Sequence, residues 1–249
     1  MGQYSTEAHY LCVECELPTQ SITPAPGRLQ PVTEQGRGTR AAIMHAALDQ
    51  FAEHGYLDAR VGSIAAAAGV AYGTFYKYFR SKRDLVRAIL TDVYEDIMAS
   101  RLALLNAEAR PLAERAYPDI LETLRSFYRH RTALRVLDVA VGAEPDLAAY
   151  IARLHEQTVE GCQVFVEGEA EPGSGFDPYL VSLTINAALE ESARAWIRSG
   201  DLTGDPVRDD LRMREMARAL TAMCVATIAP GVIAEALAVA DSEEQAQAS

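Results

Sequence analysis

Apolar residues recur at helical spacing along most of this chain. From Thr39, the residues Ile43, Ala47 and Phe51 return every four positions, with Leu48 and Ala52 beside them. That stripe predicts a helix capped by Thr39 and stopped by Gly55. Val61, Ile64, Ala65 and Ala68 define a second, short helix, and Gly69 supplies a tight turn after it. A third helix is expected from Tyr72 to Tyr78. Leu85, Ile89, Val93 and Ile97 keep strict four-residue spacing on a long fourth helix, which Ser81 caps. Two short helices around a glycine turn, with small alanines at 65–68 to allow close approach, make a helix-turn-helix, a unit that places its second helix in the DNA major groove.

Past Pro111 the pattern stays helical. Segments are expected near 118–132, 132–143 and 145–168, then a loop from Glu171 to Gly175. Helices follow over about 177–199, ended by Gly200, and about 206–229, ended by Pro230 and Gly231. In the last of these, Met213, Met216, Leu220, Met223 and Thr227 alternate by three and four as a heptad-like seam suited to a partner helix. The longest apolar stretch, from Thr221 to Ala240, is broken by Pro230–Gly231 and carries Glu235, so it reads as a buried helix end and not a membrane span. Residues 1–35 lack periodicity and hold Pro18, Pro24, Pro26, Gly27 and Pro31, the signature of a flexible extension. The expected organisation is all-α: an extension over 1–35, a helix-turn-helix head over 36–83, a helical ligand-binding and dimerising body over 84–236, and a disordered tail over 237–249.

Charge sharpens this division. The 249-residue chain carries a net charge of −12, yet residues 36–90 hold eight basic and four acidic side chains. The head is therefore at +4 and the remainder at −16, the asymmetry of a phosphate-binding module on an acidic body. Cys12, Cys15, Cys162 and Cys224 form no disulfide framework, and no secretory signal is visible, so a cytoplasmic setting is expected. Cys12 and Cys15 form a single CxxC with only His9 nearby, which is half a zinc site at most, and two unstructured thiols are the simpler reading. His45, His54, His130 and His155 are dispersed, and no phosphate-binding loop, zinc-protease motif or nucleophile elbow is present. No catalytic residue, metal or cofactor is expected.

The third helix carries the candidate chemistry. Tyr72, Tyr76 and Tyr78 bring hydroxyls that reach phosphates or base edges, and Thr74 adds a hydroxyl and a methyl suited to thymine. Gly73 removes a side chain where helix and DNA meet, Lys77 adds a cation, and Lys82 is placed to meet a phosphate. Phe75 and Phe79 are expected to face inward.

These residues resemble a known signature. Ile64-Ala65, Ala68-Gly69-Val70, Gly73-Thr74-Phe75-Tyr76, Tyr78-Phe79 and Ser81-Lys82, with Ala46-Ala47-Leu48, Phe51-Ala52-Glu53-His54-Gly55-Tyr56 before them, look like TetR-family regulators over about residues 39–90. The resemblance implies an all-α fold with a three-helix DNA head, and a homodimer formed through the last two long helices. It implies DNA contacts at Arg40, Ala71, Tyr72, Gly73, Thr74, Tyr76, Lys77, Tyr78 and Lys82. Two departures stand out. Arg60 occupies the position of a capping threonine, so that Asp58 caps instead or Arg60 meets a phosphate. Ala71 and Tyr72 replace a serine and a polar or basic residue, which points to a different operator preference.

The resemblance fades after about Leu105. A cavity for an unidentified small-molecule effector would be lined by aromatic and a few polar groups, for which Phe127, His130, Phe165 and Asn186 are the candidates. The leading expectation is a repressor released from a palindromic DNA operator by that effector. An activator, an enzyme, and a protein-interaction module that has lost DNA binding are the alternatives.

Overall fold

A computed structural model describes residues 33–106, 111–170, 175–199 and 202–247. Cys12, Cys15, His9 and nearly all of the expected flexible extension lie outside those residues. Among the described residues every regular element is helical.

Helix α1 (Glu34–Asp58) begins five residues before Thr39. Thr33 is its cap, accepting from the Gly36 N–H at 3.1 Å, while Thr39 bonds back to the Gln35 carbonyl inside the helix. Gly55 does stop the regular helix: its φ of +79° breaks the α geometry, and a last turn follows it. Helix α2 (Val61–Ala67) ends in a Schellman motif. Gly69, at φ +68°, donates to the Ala66 carbonyl, and Val70 donates to Ala65. Helix α3 (Tyr72–Tyr78) follows as expected. Helix α4 (Lys82–Asn106) starts with a capping-box-like pair, in which Ser81 Oγ accepts from Asp84 N–H and the Asp84 carboxylate accepts from Arg80 N–H.

The body is built from α5 (Leu112–Arg129), α6 (Arg131–Ala143), α7 (Pro145–Glu169), α8 (Pro178–Ser199), α9 (Pro206–Ile228) and α10 (Ile233–Gln247), with a 3₁₀ turn at Pro230–Val232 between the last two. Helix α5 starts six residues before Pro118 and contains that proline. It is the central helix, packing against α4, α8, α9 and α10, and it buries Tyr117, Leu121, Leu124 and Phe127 along with the polar Thr123 and Ser126.

Two expectations for the body are corrected. The stretch 237–249, expected to be disordered, is helical through Gln247. Ile233, Ala236, Leu237 and Ala240 recur at helical spacing, and Ala236 and Ala240 are fully buried as α10 lies on α5 and α9. The small alanines permit close packing, and their weak hydrophobicity hides the stripe in the sequence. The heptad-like seam of α9 is also turned inward: Met213 and Leu220 are buried and Met216 half-buried against the chain's own core. The large apolar residues that α9 leaves exposed are Val207, Leu211 and Met223, and those that the preceding helix α8 leaves exposed are Tyr179, Leu180 and Leu183.

One apolar core runs from the head into the body, from Ile43, Phe51, Phe75 and Leu85 to Leu137, Leu154, Trp196 and Met213. Helix α1 packs directly on α6, so the head is braced by the body and does not hang from it. Removing residues 233–249 strips the cover from α5 and α9. The loss of that apolar burial costs about 2 kcal/mol or more, and a thermal melt is expected to show a midpoint lower by about 4–8 °C. A disordered tail would leave the melt unchanged.

Candidate nucleic-acid interface and body cavities

Helix α3 is two-faced. Phe75 and Phe79 are buried in the head core with rings 5.7 Å apart. Tyr72, Gly73 and Lys77 are exposed, and Thr74, Tyr76 and Tyr78 half-exposed. The hydroxyls of Tyr72 and Tyr76 lie 3.0 Å apart and their rings meet edge-on, so the pair forms one rigid polar ridge. The hydrogen bond to Tyr72 raises the Tyr76 pKa above its ordinary value, keeping that phenol a neutral donor. A Cβ on Gly73 would meet nothing within 4 Å, so the fold itself makes no demand for glycine there. The gap on that face is open to whatever docks. Ala71 begins α3 and Arg60 begins α2 without any side-chain cap, so Asp58 does not take over the capping role.

The basic residues of the head divide into two groups. Arg40, expected on DNA, grips both Asp92 oxygens at 2.9 and 3.3 Å and ties α1 to α4. Arg83 pairs with Glu144 and Asp146 at 2.9 and 2.8 Å, and Arg87 lies over the Tyr150 ring. Arg60, Lys77 and Arg80 are exposed without an ionic partner among the described residues. The positive excess read from the sequence thus reaches solvent through three side chains beside or on α3.

Lys82 is a clear correction. Its ammonium donates to the carbonyls of Tyr56, Leu57 and Ala59 at 2.5, 2.9 and 3.0 Å and sits 4.5 Å from the centre of the Tyr56 ring. All three of its donors are committed. Burial lowers its pKa, against the pull of Asp58 and Glu144. The fold uses Lys82 to close the end of α1, a role that the loss of regular geometry at Gly55 makes necessary. The Tyr56 hydroxyl in turn donates to Glu144 at 2.9 Å, and burial together with that bond pushes the phenol up to about 12.

Among the described residues, the cavities of the body include an apolar one and a charged one. The first lies among α5, α7, α8 and α9, with a volume of about 90 Å³. Leu112, Ile120, Phe165, Val166, Leu189 and Ile228 make it apolar. Its polar points are Asn186 and Ser182, one turn apart on α8, Asp119 and Thr123 on α5, and the Cys162 and Cys224 thiols. Asn186 donates to the Ser182 carbonyl at 2.8 Å and to its hydroxyl at 3.3 Å, and Ser182 donates to the Val159 carbonyl at 2.8 Å. Of the four expected lining residues, Phe165 and Asn186 are therefore on the wall. Phe127 is buried in the main core, away from it. His130 turns to the corner of α5 and α6 and bonds Asp96 of α4 at 2.8 Å.

The second cavity, about 180 Å³, lies beneath α4, between it and α6, α7 and α8. Asp138, His155 and Arg194 line it along with aliphatic side chains. Arg194 bonds Glu190 at 2.9 Å, Asp138 at 2.5 Å and the Tyr94 hydroxyl. Burial acts to raise the Glu190 pKa, but His155 at 2.8 Å and Arg194 outweigh it and bring the carboxyl down to about 2. The spacing of Glu190 and Arg194, four apart on one helix, was visible in the sequence; the contributions of Tyr94 and His155 from α4 and α7 were not. Among the described residues, no three His, Cys, Asp or Glu side chains cluster as metal ligands, and no helix is long and apolar enough to cross a membrane.

Comparison with known proteins agrees with this geometry. The family model for bacterial regulatory proteins of the tetR family matches residues 43–89. The transcriptional regulator AcuR of Cereibacter sphaeroides is 32% identical over 146 residues, which span 55% of this chain and 66% of that protein, slightly under two thirds of its length. The HTH-type transcriptional regulator UidR of Escherichia coli is 25% identical over 194 residues, covering 76% of this chain and 92% of that one. A crystal structure of a TetR-family regulator from Syntrophomonas wolfei superposes with a TM-score of 0.64 at 22% identity, covering 77% of this chain and 95% of that one.

A paired substitution separates cap from contact. Lys82→Met is expected to lower stability in urea by about 1–3 kcal/mol, with the salt dependence of DNA binding unchanged. Lys77→Gln is expected to leave stability unchanged and reduce the slope of log K against log salt by about 1.

Proposed function

We propose that this chain, whose residues 43–89 match the TetR-family model, is a DNA-binding transcriptional regulator of that family, acting in the cytoplasm as a homodimeric repressor released from a palindromic operator by a small molecule. The observation that carries the reading is the two-faced α3. Phe75 and Phe79 fix one side in the core, while Tyr72, Gly73, Thr74, Tyr76 and Lys77 remain on the other with no intramolecular role that requires their exposure. Phosphate contacts from Arg60 and Lys77 position the head, and Tyr72, Thr74 and Tyr76 read base edges.

Dimerisation through α8 and α9 is supported by Tyr179, Leu180, Leu183, Val207, Leu211 and Met223, large apolar side chains that are 38–69% exposed. Large apolar side chains left in water on two consecutive helices suit a partner surface. Two heads then meet half-sites about 34–36 Å apart, or a multiple of that spacing.

The largely apolar cavity among α5, α7, α8 and α9 is the proposed effector site, and its lining selects a mostly apolar molecule whose polar end meets Asn186 and Ser182 on α8 or Asp119 and Thr123 on α5. Release requires that the effector prefer a body geometry that the operator does not. The route to the head is short. Glu144 and Asp146, at the start of α7, hold Arg83 on α4, and Glu144 also holds Tyr56 on α1. A displacement of α7 is passed to both helices that carry the reading head.

Selection of DNA from a random pool by the purified full chain tests this. We expect enrichment of a palindrome bound by two protomers or a multiple of two, with affinity falling steeply as salt rises. Tyr72→Phe with Tyr76→Phe is expected to weaken the selected site without moving the melting temperature. Recovery of no common sequence, or indifference of the site to both substitutions, would contradict the assignment.

A further inference from the structure

We propose that Tyr72 and Tyr76 form a polarised pair that fixes which base α3 selects: Tyr76 gives its hydroxyl proton to Tyr72, and Tyr72 then presents a donor, and only a donor, to the base edge. This rests on α3 being the helix that enters the major groove. Tyr72 is the first residue of α3, and the first residues of such a helix are those that meet base edges. It is 58% exposed, and its ring lies 4.0 Å from where a Cβ of Gly62 would stand on α2. Gly73 beside it adds no side chain. Tyr76 is one turn further along, partly buried on the head core, with its ring 5.3 Å from that of buried Phe75. The fold thus fixes Tyr76. Tyr72 is held to it by the edge-on ring contact at 5.2 Å and by the hydroxyl contact at 3.0 Å.

Two bonded hydroxyls share one proton between them. A phenol oxygen offers one O–H and one good acceptor direction in the ring plane, because its other lone pair is delocalised into the ring. When Tyr76 donates, the acceptor direction of Tyr72 is filled, and the proton of Tyr72 is the one left for DNA. That outer donor is strengthened by the bond behind it. The raised pKa of Tyr76 agrees with this direction, since a phenol that donates holds its proton more firmly. A lone donor discriminates among major-groove edges. Guanine presents two acceptors, N7 and O6, whereas cytosine presents the N4 amino donor. The pair therefore favours guanine and rejects cytosine at one position of each half-site. Without the Tyr76 hydroxyl, Tyr72 is free to turn and accept, and cytosine is readmitted. Tyr72 makes the contact, and Tyr76 is a positioning residue that acts through it.

Selection from a random pool with the full chain supplies the duplex, and the position concerned is the one whose preference Tyr72→Phe abolishes. Affinities are then compared on that duplex and on one with cytosine in place of guanine at that position in both half-sites. The unmodified chain is expected to prefer guanine about tenfold or more. Tyr76→Phe is expected to cut that preference by about threefold or more. Adding Tyr76→Phe to Tyr72→Phe is expected to change the preference no further. Each preference is a ratio of two affinities of one sample, so loss of folded protein cancels from it. A Tyr72→Phe profile unchanged at every position, a position that prefers cytosine, a preference that Tyr76→Phe leaves intact, or a further loss in the double variant would each overturn the pairing and leave α3 as the reading helix. A pool that yields no common sequence for the unmodified chain would overturn both.

Discussion

The arrangement depends on how the end of α1 is closed. Gly55 breaks the helix and leaves carbonyls of the following turn without intrahelical partners. The Lys82 ammonium takes three of them, from the first turn of α4, and lies against the Tyr56 ring. Tyr56 then reaches Glu144 at the corner of α6 and α7. One cation and one phenol thus connect the first helix of the head, the helix that leads out of it, and the body. The cation–π contact and the charged hydrogen bonds reinforce one another in a partly buried setting. Arg83 closes the same knot by pairing with Glu144 and Asp146.

Because of this knot, head and body behave as one core with two outlets. The α3 face is one outlet, rigid on its inner side through Phe75 and Phe79 and polar on its outer side. The cavities are the other. The apolar one bears on α7 and α8 from the far side of the body, and the charged one bears on α4 itself. Both reach the reading head through elements that converge on Glu144 and α4. Coupling over this distance needs no long chain of contacts, only that α4 and the start of α7 have more than one stable placement.

Much of this was legible in the sequence, and the reasons differ from element to element. The stripe Leu85, Ile89, Val93, Ile97 predicts a buried face and is buried throughout. Gly69 predicts a left-handed turn and has a φ of +68°. These are local properties, set by period and by backbone sterics. The errors concern long-range partners. Lys82 and Arg40 look like DNA contacts by position, but their partners Tyr56, Leu57, Ala59 and Asp92 come from other elements, and no local pattern announces them. The same holds for His130, taken by Asp96, and for Phe127, taken by the core. Asn186 was more readable, as a polar residue on an otherwise apolar helix face that must find a wall or a partner. The α9 seam shows a further ambiguity: a heptad-like stripe fits a chain's own core as well as a second chain's, and only the other faces of the helix tell which.

Helices α2 and α3 together present the surface proposed to meet DNA. Hydrogen–deuterium exchange of the chain, alone and saturated with a selected DNA duplex, tests it most directly. Slowed exchange is expected over residues 60–78, with amides of α10 unaffected. Unchanged exchange over 60–78, with protection confined to the body, would contradict it.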